Sequence, residues 1–378
     1  MKPLELWDWQ KADQEFLARH NWTALAAVET GGAKGHPLDE PVLTPGGWVP
    51  VGELEVGDEV VGSDGLPTKV TGVFDRGVLP VYRVSFRDGS SVRVDGEHLW
   101  RVRHSANGGR VTWSTKATED IARLKRMDIY EIPTTEVEHA EADLPIDPYA
   151  LGALIADGYL TGSGVQWTKN DLGGAQEMRE ALSRTGFTLT DRAYVGARRY
   201  GVLGVISVLK ELGLRVASGE KFIPRMYFIS SVAQRTALVN GLFDGDGSVR
   251  RERGSASYAT TSVRLAEDVR ELLWSLGVGA TLHFKKSPAG GYWVVHVHGG
   301  YNPFLRHPDK HLVTGTARRL RRAFASIELV EETEVRCISV AASDHLYVTK
   351  DYIVTHNTML AVEAIRNSGA ERVLIVAP

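Results

Sequence analysis

Two aspartates recur at matching places in this 378-residue sequence. Asp157 closes the apolar stretch Ala150 to Gly158, and Asp246 closes Val239 to Gly247. Each stretch reads as a helix with Gly or Ala where a second helix would approach closely, and each stops at an Asp-Gly pair, a helix-stop signal. Packed side by side, two such helices would bring the carboxylates together at their C-terminal ends. There the like charges and the helix dipoles both favour a bound cation. A hard ion such as Mg²⁺ takes oxygen ligands of this kind. It can stabilise the attacking and leaving oxygens of a phosphodiester under cleavage. One such aspartate would be an ordinary helix end; two in a basic region point to chemistry.

A second constellation is split between distant parts of the chain. Glu29-Thr30-Gly31-Gly32-Ala33-Lys34 breaks off before Gly35, and Thr358 lies far downstream. Deleting Gly35 to Asn357 joins Lys34 to Thr358. The product reads as a strand, a turn with Gly31 and Gly32, Lys-Thr, and then a helix. That is the order of a phosphate-binding loop, whose backbone N–H groups and lysine hold phosphates while the Thr hydroxyl meets Mg²⁺. Ala33 departs from the usual Gly. Cys337 is the only cysteine, which excludes an internal disulfide framework and a multi-cysteine zinc site.

The elements that must position these residues fall into three parts. Residues 43–105 are short β segments broken by Gly turns, with a hairpin signal in Val81 to Phe86, Arg87 to Ser90 and Ser91 to Val94. Short strands return at 334–357, around Val335 to Val340 and His345 to Val348. Between them, 145–325 alternates helix-period patterns with strands and contains a diverged repeat, Leu151 to Phe187 and Asn240 to Val278. Outside lie a helix at Gln10 to His20, a strand at Thr23 to Val28, a helix at Met359 to Asn367 and a strand at Val373 to Val376. The net charge of −3 conceals an asymmetry: 145–325 carries 24 basic and 15 acidic residues, whereas the rest is acidic. A basic middle inside an acidic frame suggests a polyanionic partner for the middle alone. No apolar run approaches the ~20 residues of a membrane helix. The start lacks an apolar signal core, which with one thiol fits a bacterial or phage-infected cytoplasm.

Ala150 to Gly158 and Val239 to Gly247 resemble the two motifs of the LAGLIDADG homing endonucleases. The resemblance implies an αββαββα-type pseudo-two-fold α/β domain over 145–325 that cuts double-stranded DNA, with Mg²⁺ on Asp157 and Asp246. Lys221-Phe222-Ile223-Pro224 resembles the family's Lys-x-Ile-Pro block, whose lysine lies near the scissile phosphate. Ile155 departs from an acid common in the first motif. Residues 1–34 and 358–378 resemble the start of a superfamily-2 helicase or ATPase, ATP being bound only after Lys34 and Thr358 are joined.

The intervening residues resemble an intein. Leu38 to Trp48 and Val51 to Asp58 match its start, Gly89 to Trp100 its second block, Val335 to Tyr347 its penultimate block and Ile353 to Asn357 its end. This implies a β-rich HINT domain over 35–140 and 326–357. Gly35 stands where most inteins have a nucleophile, and Trp100, Cys337 and Thr355 match the class 3 signature. The resemblance implies that Cys337 attacks the Lys34 carbonyl and that His98 protonates the departing Gly35 nitrogen or polarises the junction. The acyl group then passes to the Thr358 hydroxyl, and Asn357 cyclises with help from His356 and His345. Asp95 stands where the second block often has Thr. Three alternatives remain open at this point: a standard intein that lost its first nucleophile at Gly35, an inactive nuclease that only binds DNA, and an ATPase fragment with an inert insertion. The chain is expected to act as a monomer without a membrane.

Overall fold

The structure, a computed structural model, describes residues 24–27, 35–105, 111–169, 172–192, 198–250, 255–288, 290–298, 300–306, 321–356 and 373–376. The helices expected at Gln10 to His20 and Met359 to Asn367 lie outside these residues. The two flanking strands lie within them: β1 (Ala24–Ala27) and β22 (Val373–Val376) pair in parallel, Ala24 opposite Val373.

A twelve-stranded sheet forms the β unit. From the N-terminal side come β2 (His36–Pro37), β3 (Pro41–Thr44), β4 (Gly47–Pro50), β5 (Glu59–Val61), β6 (Pro67–Phe86), β7 (Ser91–Asp95), β8 (Leu99–Ser105), β9 (Val111–Ala117) and β10 (Tyr130–Pro133). A short helix, α1 (Thr118–Ala122), follows β9. From the C-terminal side come β19 (Arg321–Val340), β20 (Leu346–Thr349) and β21 (Ile353–His356). The expected hairpin is present, with Ser85 opposite Ser91. Its first strand is far longer than the local pattern suggested. β6 and β19 are 20-residue partners whose ladder is interrupted by register shifts at four places. Such bulges let a long strand bend. β19 starts at Arg321 and pairs with β10 there, so 321–325 already belong to this sheet.

The insertion contains two copies of one plan. The first is α2 (Pro148–Asp157), β11 (Gly158–Tyr159), β12 (Val165–Thr168), α3 (Leu172–Arg184), β13 (Thr188–Arg192) and β14 (Arg199–Leu203). After a short α4 (Ile206–Glu211), the second is α5 (Val232–Asp246), β15 (Gly247–Arg250), β16 (Ser255–Thr260), α6 (Val263–Ser275), β17 (Ala280–Lys285) and β18 (Tyr292–Val297). The two four-stranded sheets share one order, β11-β12-β14-β13 and β15-β16-β18-β17. Local chemistry sets the helix starts. Asp147 caps α2 through Ala150 N with Pro148 at its first turn. Ser231 and Gln234 form a capping box on α5.

α2 and α5 cross backbone to backbone. A Cβ on Gly152 would lie 2.4 Å from Leu238 O, and one on Gly241 would lie 2.1 Å from Tyr149 O. The β unit and the insertion share one apolar cluster, in which Leu43, Val348, Tyr352 and Val354 join the core around both helices. Arg235, fully buried, ties them further by donating to Ser275 O at 2.8 Å and to Val137 O.

Candidate splicing centre and helix-end site

β2 lies against β19, with Pro37 opposite Val335 and His36 opposite Arg336. The pairing ends at His36, and Gly35 lies against Val335 and Arg336, the two residues before Cys337. Cys337 is 1% exposed, and its thiol donates to Ile338 O at 3.6 Å. Gly35 leaves little room for a side chain: a Cβ there would meet Val335 Cβ at 3.1 Å and Arg336 O at 3.2 Å.

A buried polar network surrounds this place. His36 holds Arg93 O at 2.9 Å through Nδ1 and the Tyr347 hydroxyl at 3.0 Å through Nε2. Burial pushes His36 down to about 4, so its ring is neutral. Burial, reinforced by the charges of Cys337 and Asp95, raises the Tyr347 phenol well above its ordinary value. The His36 ring stands 4.7 Å from that of His98. His98 is bonded through Nε2 to Thr355 Oγ1.

Trp100 acts on His98 from behind. Its indole N–H donates to Thr118 Oγ1 at 3.0 Å, and Thr118 in turn donates its N–H and its hydroxyl to His98 O at 2.9 and 3.0 Å. The Trp100 ring packs 5.2 Å from the His98 ring and against Phe86 and Phe324. This residue is therefore both core and support for His98. His356 pairs with Leu99 on β8 and with Leu346 on β20. His345 directly precedes Leu346, in a turn with φ 55°. Lys34, Asn357, Thr358, Gly31 and Gly32 lie outside the described residues.

The Gly35 N–H donates to Asp95 Oδ2 at 2.5 Å, whereas the resemblance had given the departing nitrogen to His98. His36, Tyr347 and this use of Asp95 went unread in the sequence. The available signals were His36 directly following Gly35 and an acid in place of the usual Thr.

The second site sits at the shared end of α2 and α5. Asp157 and Asp246 meet there: Gly245 packs so closely that its Cβ would lie 2.4 Å from Ala156 Cβ and 3.2 Å from Asp157 Oδ2. Both aspartates act on Lys221 and on the buried Tyr258. The Asp-Gly pairs do end both helices, but their glycines are not left-handed. Gly158 and Gly247 have φ of −86° and −75°. Glycine is required there because a Cβ would lie 2.2 Å from Leu154 O or 2.3 Å from Phe243 O.

Lys221 is buried rather than on the surface, and donates to Ile155 O at 2.7 Å and Gly158 O at 2.9 Å. It thereby caps the C-terminal end of α2. Burial lowers its pKa, and the charges of Asp246 and Asp157 act against that shift. Lys169, which the sequence reading missed, serves the other helix: it donates to Asp244 O at 2.5 Å and lies 3.4 Å from Asp157 Oδ2. A cavity of about 350 Å³ opens beside Lys221, Asp246, Thr260 and Tyr292. Among the described residues no group of three or more His, Cys, Asp or Glu could hold a metal. Two carboxylates still suit a hard divalent ion that completes its shell with water.

Comparison with known proteins follows the same division. The LAGLIDADG-like domain family matches residues 233–327. The chain is 30% identical over 379 residues to the replicative DNA helicase DnaB of Mycobacterium intracellulare, covering 91% of this chain and 62% of that protein. It is 27% identical to DnaB of Rhodothermus marinus, covering 68% of this chain and 28% of that one. The chain thus spans less than two thirds of the length of these relatives. Among solved structures, the MchDnaB-1 intein aligns with 14% identity and a TM-score of 0.30, covering 85% of this chain and 98% of that one. The I-DmoI endonuclease in complex with DNA and Mn aligns with 16% identity and a TM-score of 0.32, covering 41% of this chain and 89% of that one. The chain is thus similar to replicative DNA helicases and, over residues 233–327, to the LAGLIDADG-like domain family.

Proposed function

We propose that this chain is a helicase precursor interrupted by a self-splicing intein, and that the intein carries a DNA-cutting domain. The observation that carries the splicing half is the β2–β19 ladder, which runs Gly35 toward Cys337. The Cys337 thiolate attacks the Lys34 carbonyl and takes over the acyl group as a thioester, thiolate sulfur being the strongest side-chain nucleophile near neutrality. The acyl group moves to the Thr358 hydroxyl, Asn357 closes on its own backbone carbonyl, and an O-to-N shift leaves a Lys34–Thr358 peptide. His98 and Thr355 form one hydrogen-bonded unit beside the junction. Trp100 and Thr118 hold that unit in place, while His356 and His345 serve the downstream end.

The crowding at Gly35 argues against a lost side-chain nucleophile there. The test is a mass spectrum of the expressed chain. The wild type should resolve into an excised 35–357 and joined flanks, while Cys337→Ala should remain whole. A Cys337→Ala chain that still splices would overturn the reading.

In the second half, Asp157 and Asp246 hold a divalent ion, Mg²⁺ in the cell, on double-stranded DNA at the uninterrupted helicase gene. The ion would supply charge stabilisation at the attacking and leaving oxygens. Lys221 and Lys169 keep the two helix ends in register. Arg192 and Arg199 sit opposite each other on β13 and β14, and the strand alternation puts them on the face away from Leu189 and Tyr200. That face suits a phosphate backbone. The domain works as a monomer because both repeats lie in one chain, in the cytoplasm of a bacterial or phage-infected cell. No helix among the described residues is long and apolar enough to cross a membrane. Incubation with cloned junction DNA and Mg²⁺ should give a double-strand cut, and binding without nicks would reduce the domain to a DNA clamp.

A further inference from the structure

Asp95 ends β7 and grips the first residue of the insert at both of its polar backbone atoms. Its own N–H donates to Gly35 O at 3.0 Å, and its Oδ2 receives the Gly35 N–H at 2.5 Å. The residue is 3% exposed, and its other carboxyl oxygen, Oδ1, is buried without a hydrogen-bond partner among the described residues. No ion pair to Asp95 occurs among them either. A carboxylate without a cation, buried against the nitrogen of a bond to be broken, is costly in its charged form. His98, the residue expected to serve that nitrogen, turns its Nε2 to Thr355 instead.

We propose that Asp95 is the general acid that protonates the Gly35 nitrogen when the Lys34–Gly35 bond breaks, a role that rests on the splicing reading above. The Cys337 thiol first loses its proton to water. The sulfur then adds to the Lys34 carbonyl carbon, forming the S–C bond, and the adduct collapses by re-forming the carbonyl and breaking the C–N bond. The electron pair of that C–N bond stays on the Gly35 nitrogen, which takes the proton from Asp95 Oδ2. Asp95 becomes a carboxylate and recovers a proton from water, so thiol plus amide give thioester plus amine. The 2.5 Å contact serves both directions: the amide N–H donates before attack, and the carboxyl O–H donates once the nitrogen becomes pyramidal. Burial raises Asp95 to about 6, with a contribution from the charge of Glu97, while hydrogen bonding from the backbone N–H groups of Gly35, Glu97 and His98 pulls the other way. An acid in this range is matched to work near neutral pH.

The test uses the full chain with Asn357→Ala, which stops the last step. The thioester is read as release of residues 1–34 by hydroxylamine, followed by mass spectrometry. Asp95→Asn keeps the shape but has no acidic proton, and should slow release by ~10²–10⁴-fold. Asp95→Glu should recover most of that loss, and melting curves should show both variants folded. Release from Asp95→Asn within a few-fold of the parent, while Cys337→Ala releases nothing, would overturn the proposal and leave the splicing reading intact. Release from Cys337→Ala at the parental rate would overturn both.

If Asp95→Asn does not fold, the pH profile of the parent chain decides. Besides Asp95, the groups around the junction that titrate or carry charge are Arg93 and Glu97, His98, His36, Tyr347 and Cys337. With Asp95 as the acid, the rate should level off above pH ~6, because gain of thiolate is offset by loss of the acid form. Without it, the rate should keep rising about tenfold per unit until the thiol itself is ionised.

Discussion

The two candidate centres of this molecule are built in opposite ways. The junction centre is assembled from β2, β7, β8, β19, β20 and β21, brought together from both ends of the insert. Burial holds two of its groups uncharged, His36 neutral and Tyr347 protonated, and pushes Asp95 up to about 6. The helix-end centre is assembled from two copies of one motif and works with charge: two aspartates and two lysines, with a cavity beside Asp246 and Lys221. On the proposed function, the difference follows from where the substrate is. A peptide bond of the same chain is already present when the protein folds, so its site can be closed and dry. A DNA duplex must arrive and leave, so its site stays open and signals through electrostatic potential.

The comparison breaks first at the nucleophile. Cys337→Ala should abolish cleavage at the Lys34–Gly35 bond in a mass spectrum, while leaving DNA cutting within a few-fold of the parent. A substitution that silenced both activities would mean the two centres are not separable. Next, Asp157→Asn or Asp246→Asn should lower the rate of cutting of a junction-DNA plasmid by at least ~100-fold, since even groups one layer outside a metal cost 10–100-fold. Splicing should continue at the parental rate.

A smaller effect tests the dryness of the junction. His36 is held at about 4 against an ordinary 6.5, so above pH 6.5 it is neutral whether folded or not. As pH falls from 6.5 through 4, the unfolded chain takes up a proton that the folded chain refuses, and stability drops by roughly 3 kcal/mol. Asp95 and Asp268, both raised to about 6, contribute with the opposite sign. The difference in denaturant midpoints between the parent and His36→Asn across pH 4–7 isolates the histidine; a parallel pair of curves would show a hydrated site. The smallest expectation is no effect at all: adding Gly35→Cys to Cys337→Ala should not restore splicing. Restoration would revive the reading of a lost first-residue nucleophile.

Legibility in the sequence divides along the same line. The repeat at 145–325 was readable because its information is local: a capped helix, an Asp-Gly stop and strands follow within about thirty residues, twice. Even so, the glycines at 158 and 247 serve close packing rather than a left-handed turn. Lys169 stayed hidden because one of its partners, Asp244, lies 75 residues away. The junction centre was legible only through its resemblance to a family. No spacing within the sequence links His36 to Arg93 and Tyr347, which meet through the sheet. The lengths of β6 and β19 were also lost, since Gly72, Gly77 and Pro80 interrupt the alternation that marks a strand, and the partner strand supplies the continuity.

β1 and β22 have a consequence for the product. These short strands come from either side of the insert and already lie side by side, Ala24 beside Val373 and Ala27 beside Val376. Closing a loop of that size costs chain entropy that grows only with the logarithm of its length. That cost is met while the precursor folds. On the proposed function, excision would remove the tether from neighbours already in register, and the joined flanks would inherit two adjoining strands rather than having to find them.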